Sequence, residues 1–272
     1  MLADAAAVAA QFEGTMAMRP YVIAFLAAYL LVASRDLGLR RALAWLAWGF
    51  GVAVIAEYSS TRGGFPFGLY HYTGHTMGRE LFVSNVPAFS PLSFPFLAYA
   101  SWCVVRWVRG RPRDLTTLAA AGVVMMVMDV VVDPLAVVGP RWFLGDLFFY
   151  PDGGLYLGVP LSNFAGWVLV GWVIAGGAVL TGFLGLERGG RPVNLGSPRG
   201  GAALYYGILL FNLTIAVWIG EIRLAVLGAA AQVTQLLVLA GMARRERSDR
   251  PPRWVAFPAP MASGMGDGRI ER

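Results

Sequence analysis

The sequence predicts an all-α protein, a polytopic transmembrane helix bundle of about seven spans with its N-terminus outside and its C-terminus in the cytoplasm. Three observations carry this expectation. The chain is 57% hydrophobic and only 14% charged, with a mean hydropathy of +0.59, a composition with too little polar surface for an ordinary soluble domain. Apolar runs of about twenty residues, the length that crosses a bilayer as a helix, recur near 20–34, 42–58, 87–108, 115–138, 160–185, 202–220 and 222–243. Finally, all 22 basic residues are arginine, and they are unevenly placed.

Taken in order, residues 1–19 form an alanine-rich leader carrying Asp4 and Glu13. No positive region precedes an apolar core, so the leader is unlike a cleaved signal peptide and is expected to be mobile or interfacial. Residues 20–243 make the transmembrane domain. Its first span is short, and its last two touch around Gly220, Glu221, Ile222 and Arg223. A tight turn is expected there, because a single helix of about forty apolar residues would overrun the bilayer; six and eight are the neighbouring span counts. Residues 244–272 are rich in Arg, Pro and Gly without apolar periodicity, and are expected to be a disordered tail attracted to anionic lipid.

The arginines then orient the bundle. Arg35, Arg40 and Arg41 follow span one, Arg106, Arg109, Arg111 and Arg113 flank the end of span three, Arg188, Arg191 and Arg199 follow span five, and seven more follow span seven. Only Arg19, Arg62, Arg79, Arg141 and Arg223 fall on the other side, a division of seventeen against five that places the C-terminus inside by the positive-inside rule. The natural setting is a bacterial inner, cytoplasmic membrane. This anchoring accounts for the net charge of +6, and no nucleic-acid motif gives it another use.

Missing residues exclude several chemistries. Without lysine there is no Schiff base to retinal or pyridoxal phosphate, whatever the span count. His71 and His75 are the only histidines, too few for a membrane di-iron oxygenase, and Gly74 argues against the helix that would align them as ligands. The single Cys103, mid-span, excludes an internal disulfide and cysteine-based metal sites. Dinucleotide and P-loop fingerprints are absent. The expectation is a protein with no metal and no cofactor.

Two stretches stand out against this background. Glu57 closes the second span and is followed by a loop, Ser59 to Thr73, whose Gly63, Gly64, Gly68 and Pro66 give it a definite shape. Its Phe65, Phe67, Tyr70 and Tyr72 suit either an interfacial aromatic belt or a pocket. The fourth span carries Asp129 and Asp133, which lie one turn apart on one helical face, and stops at Pro134. An aromatic loop with Trp142 and Phe143 leads on to Pro160, Leu161, Ser162 and Asn163. Spans two and four both run outward, so the two stretches meet at the outer face. Pro91-Leu92-Ser93-Phe94 echoes Pro160-Leu161-Ser162-Asn163-Phe164, hinting at an internal repeat that would set Glu57 opposite Asp129 and Asp133 across a shared cavity.

Together, Glu57, FPFGLYHYT at Phe65 to Thr73, MDVVVDP at Met128 to Pro134 and GVPLSNFAGW at Gly158 to Trp167 resemble the integral-membrane carotenoid biosynthesis proteins that include the carotenoid 1,2-hydratases and bisanhydrobacterioruberin hydratase. The resemblance covers roughly residues 40–240. It departs between Glu57 and Phe65, where the family usually has a Gly and a Thr-Gly pair and this chain has Ser60, Gly63 and Gly64. The resemblance implies a linear carotenoid and water as substrates, membrane lipid as surroundings and other carotenoid biosynthesis enzymes as neighbours.

Adding water to the terminal double bond of a linear carotene requires protonation of carbon 2, a tertiary cation at carbon 1 and capture by water. Two close carboxyls in a low dielectric do not both ionise easily, so Asp129 or Asp133 is a candidate acid, and its partner or Glu57 the group that orients and deprotonates the water. Faces of Phe65, Phe67, Tyr70, Trp142 and Phe143 suit a cation, and Tyr72 lies in the same loop. Asn163 would hold water or fix a carboxylate; alternatively Ser162 or Asn163 caps its helix. The bland alternative for the acids is structural, with Asp133 capping a neighbouring helix or bonded to Arg141 or Arg62 and Asp129 hydrogen-bonded inside the bundle. Tyr205, Asn212, Thr214 and Glu221 are weaker candidates. A carotene cyclase using the same acid, and a transporter or lipid-binding protein whose acids relay protons or bind a cation, are the competing functions.

Overall fold

The computed structural model describes residues 2–110, 114–180 and 195–248. Among these, eight helices dominate: α1 (Leu2–Met18), α2 (Pro20–Leu37), α3 (Leu39–Gly63), α4 (Phe89–Arg109), α5 (Leu115–Val137), α6 (Leu161–Leu180), α7 (Arg199–Trp218) and α8 (Ile222–Ser248). Their limits follow local chemistry. Pro20 opens α2, where its missing N–H is tolerated. Asp114 caps α5 by accepting from the Thr117 amide at 2.7 Å, and α3 ends on Gly64 in the left-handed conformation. The turn between α7 and α8 is tight, closed by the Glu221 amide donating to the Ala216 carbonyl at 2.8 Å.

Helices α2 to α8 fall on the seven apolar runs. Five of them, α2, α3, α5, α7 and α8, are long and apolar enough to cross a membrane, while α6 holds a shorter apolar stretch, Leu161–Gly177, among the described residues. Helix α4 is less apolar for a physical reason. It occupies the centre, packed against α2, α3, α5, α6, α7 and α8, so its buried Phe94, Tyr99, Ser101, Trp102 and Arg106 meet protein rather than lipid. Within the leader, Leu2–Met18 is helical as α1, tied down by the Leu81 amide donating to Thr15 Oγ1 at 2.9 Å. At the other terminus α8 continues through residues 244–248, past the expected start of the tail, and residues 249–272 lie outside those described.

Hydrogen bonds sort the helix ends into two groups. At one end Arg106 makes a two-point pair with Asp36, Nη1 to Oδ2 at 2.6 Å and Nη2 to Oδ1 at 3.1 Å. There the Gly196 amide donates to the Asp36 carbonyl, and Arg109 reaches Asp114 and Glu246. At the other end buried Arg19 holds Glu80 through Nε and Nη2 at 3.0 and 2.9 Å and donates to the Leu144 carbonyl at 2.9 Å. Strand β1 (His71–Tyr72) pairs antiparallel with β4 (Phe148–Phe149), and Arg141 bonds Glu221. A second antiparallel pair, β2 (Phe82–Val83) with β3 (Val86–Pro87), closes the loop before α4. The chain therefore alternates between the two ends, and the loops after α3 and α5 share one of them.

Candidate active site

Glu57 sits two turns before the end of α3, 2% exposed. An isolated carboxyl there would be costly to bury, and two hydroxyls meet it: Ser90 Oγ donates to Oε1 at 2.8 Å and Tyr72 Oη to Oε2 at 2.8 Å. Ser90 belongs to the first turn of α4 and Tyr72 to β1, so the β1–β4 pairing fixes the tyrosine over the acid. Burial, reinforced by the Glu57 carboxyl, raises the Tyr72 hydroxyl's pKa well above the ordinary phenol value. It is therefore a neutral donor across the physiological range.

The loop between them is built inward by its own backbone. Ser60 Oγ accepts from the Phe67 amide at 3.0 Å, and Gly68, at φ +91, turns the chain in a conformation that L side chains rarely adopt. Phe67 then lies against Gly166 of α6, where a Cβ would come within 2.6 Å of its ring. Around Phe67, Phe94 and Trp167 stack at 4.4 Å between centroids.

On the facing helices Asn163, 1% exposed in the first turn of α6, donates through one Nδ2 to both acids, to Asp129 Oδ2 at 2.7 Å and Asp133 Oδ2 at 2.6 Å. Trp167 Nε1 is 3.4 Å from Asp133 Oδ2, and Tyr150 shares the cavity wall with that carboxyl. Burial, then the charges of Asp133 and Asp129, raise Tyr150 far above an ordinary phenol, so it too remains a donor.

A cavity of about 130 Å³ joins these groups. Its polar lining includes Glu57, Tyr72, Ser90, Asp133, Tyr150 and Asn163. Its apolar lining comes partly from Val22 and Phe25 of α2 and Ile208 and Phe211 of α7, together with Phe67, Tyr70 and Trp142 from among the expected aromatics. Of the three acids, Glu57 and Asp133 line this cavity; Asp129, 0% exposed, stands behind Asn163. The sequence puts both aspartates on one helical face, and although both accept from Asn163 only Asp133 faces the cavity.

Two expected aromatics lie elsewhere. Phe65 is 67% exposed, because the Phe67 amide is drawn inward to Ser60 while the Phe65 carbonyl accepts from Ser59 Oγ on the outer side. Phe143 is 51% exposed and packs behind the wall, on Trp142 and Tyr21. His71 and His75 are both exposed and outside the lining, His75 beside Asp146. Arg141 pairs with Glu221 and Arg62 with Asn85, so neither takes Asp133. Asn212 lines the cavity while donating to the Ile208 carbonyl of its own helix.

Sequence reasoning missed Ser90, Tyr150, Trp167 and the α2 and α7 walls. Ser90 had a faint signal, standing just before the Pro91-Leu92-Ser93-Phe94 segment that echoes the stretch containing Asn163. Val22, Phe25 and Phe211 had none, being apolar residues in apolar spans.

Helices of membrane-crossing character around a buried cavity with carboxyls at one end define the class, a multi-helix membrane protein with an acid-lined apolar site. A family model described as carotenoid biosynthesis protein matches residues 17–235, which include every residue of the cavity wall, and the chain belongs to that family. It is also 33% identical over 136 residues to bisanhydrobacterioruberin hydratase of Haloarcula japonica, an alignment covering 49% of this chain and 42% of that protein. The chain thus spans less than half of the length of the curated relative it matches. No solved structure matches it significantly.

Proposed function

We propose that this protein is a carotenoid-modifying enzyme that hydrates the terminal double bond of a linear, ψ-end carotenoid to a tertiary alcohol, without metal or cofactor. The observation that carries the proposal is the joint placement of Asp133 and Glu57, each supplied with hydrogen-bond donors, in the wall of one otherwise apolar cavity. Family membership and the hydratase relative support the substrate class and the reaction.

Asp133 delivers a proton to carbon 2, leaving the tertiary cation at carbon 1. The faces of Phe67, Tyr70 and Trp167 attract that cation through their quadrupoles. Glu57, held by Ser90 and Tyr72, orients a water and takes its proton as the C–O bond forms. The cavity volume is of the order that admits one benzene-sized group, so only the end group enters and the polyene extends into lipid. One end is hydrated at a time.

Expression in bacteria that accumulate lycopene tests this directly. A pigment heavier by one water is the expected result. An isomer of unchanged mass would mean that the cation loses a proton, as in a cyclase, and unaltered pigment would favour a transporter.

The proposal includes seven spans, α2 to α8, with the site at the outer face of a bacterial inner membrane. The structure gathers Arg35, Arg40, Arg41, Arg106, Arg109, Arg199, Arg244 and Arg245 at the end opposite the site, which the positive-inside rule assigns to the cytoplasm. Reporters fused within residues 74–80 and 151–155 are expected to read outside, and cytoplasmic signals from both would reverse the orientation.

A further inference from the structure

Helix α7 puts three side chains into the cavity wall, the apolar Ile208 and Phe211 and the polar Asn212. An asparagine in an apolar span ordinarily bonds to a neighbouring helix. Asn212, 8% exposed, does not: its Nδ2 donates to the Ile208 carbonyl one turn back in α7 at 2.9 Å, and no other described residue bonds its side chain. The usual structural reason for such a residue is therefore missing.

The bond to Ile208 also fixes which way the amide faces. With N and O exchanged, two oxygens would meet at 2.9 Å, so Oδ1 is turned away from the Ile208 carbonyl. No described residue donates to Oδ1, yet it is not sealed off in the way that Asp129 Oδ1 is. In a side chain that lines the cavity, it is an open acceptor. Its level in the bundle suits the reaction. A Cβ at Gly228 of α8 would come within 2.3 Å of Val131 of α5 and 3.4 Å of Leu213 of α7, so the turn that carries Asn212 lies beside the turn that carries Asp133.

Capture of the tertiary cation needs a water whose lone pair points at carbon 1 and whose two hydrogens point elsewhere. Glu57 takes one of them. The second needs an acceptor as well, because an O–H left unpaired in apolar surroundings is costly, and a water held at one point is free to swing its lone pair away. An amide carbonyl meets this need: it has no hydrogen to aim at the cation, and its oxygen carries partial negative charge.

We infer that Asn212 is a water-positioning residue, its Oδ1 accepting the second hydrogen of the water that Glu57 deprotonates. As the oxygen bonds to carbon 1, one water hydrogen passes to Glu57 and the other stays on the oxygen, so the bond to Asn212 carries over to the hydroxyl of the product. Asn212 itself gains and loses no proton. Asp133 ends the step ionised and Glu57 protonated; both line the cavity, and water that refills it after release carries the proton back to Asp133. The inference rests on the hydration proposed above.

Asn212→Thr separates the carbonyl from the helix bond. A threonine hydroxyl donates to the carbonyl four residues back, as Thr214 does to Leu210 at 2.8 Å and Thr234 to Ala230 at 2.9 Å, but it offers no acceptor at the reach of the amide. Asn212→Leu removes both. In heavy water each variant is expected to exchange deuterium into unhydrated carotenoid at carbon 2 at the wild-type rate, since the cation still forms at Asp133. Formation of the alcohol per folded molecule is expected to fall about tenfold, what one hydrogen bond contributes. Full hydration by Asn212→Thr would overturn the inference, leaving the bond to Ile208 as the only task of the side chain. Exchange and hydration falling together would overturn it too, the mark of a merely structural role. If the wild-type protein neither hydrates nor exchanges, the hydration reading itself fails, and the role of Asn212 with it.

Discussion

Asp133→Asn is expected to lower conversion per folded molecule by about a hundredfold or more, the range that a general acid contributes. The substitution keeps volume and leaves Oδ1 to accept from Asn163, but it removes the transferable proton. Of the two aspartates this one faces the cavity, within reach of Trp167 as well. Folded protein and pigment should be measured in the same membranes. A purely structural role for Asp133 gives less protein with unchanged specific activity, and that outcome would remove it from the chemistry. Asp152→Asn, on the exposed loop, should leave both quantities unaltered.

Glu57→Gln is expected to be as damaging to hydration, about a hundredfold, but to leave a different trace. Ser90 and Tyr72 both donate to Glu57, so the new amide N–H₂ faces a donor and the water-orienting group is lost. Protonation by Asp133 does not need Glu57. In heavy water, the Glu57→Gln protein should therefore still exchange deuterium into unhydrated carotenoid at carbon 2, as the cation forms and reverts. Asp133→Asn should show neither exchange nor hydration. Normal hydration by Glu57→Gln would assign the base elsewhere.

These two residues were the most legible part of the site because charge inside an apolar run is conspicuous, and the same contrast made the helices legible. Asn163 was visible for the same reason, and Phe67, Tyr70 and Tyr72 because glycines and a proline shape their loop. The hierarchy within the acid pair was not visible. Spacing of four puts Asp129 and Asp133 on one face, and both accept from Asn163 on another helix, yet only Asp133 lines the cavity, a difference that comes from tertiary packing. Phe65 and Phe143 show the converse limit. An aromatic side chain in a loop of the right composition points in or out according to single backbone bonds, such as the Phe67 amide to Ser60. The α2 and α7 wall was silent because a residue facing a carotenoid and one facing lipid need the same apolar chemistry.

Helix α4 shows how hydropathy and position part company. Its run was found by length, yet it is not among the helices apolar enough to cross a membrane, being enclosed by its neighbours, and its Ser90 donates to Glu57. Mean hydropathy measures contact with lipid, whereas the centre of a bundle is free to carry Ser, Tyr and Arg whose partners are within reach.

In the proposed reaction Asp133 supplies a proton to the carotenoid, and water, activated by Glu57, supplies the oxygen. The most direct measurement is conversion of a linear carotene by membranes holding the protein, in deuterated water enriched in heavy oxygen, with the product analysed by mass and by the position of each label. The account predicts one deuterium at carbon 2 and heavy oxygen in the new hydroxyl at carbon 1, with no dependence on molecular oxygen. A hydroxyl whose oxygen comes from the gas phase, or a product of unchanged mass carrying a closed ring, would contradict it.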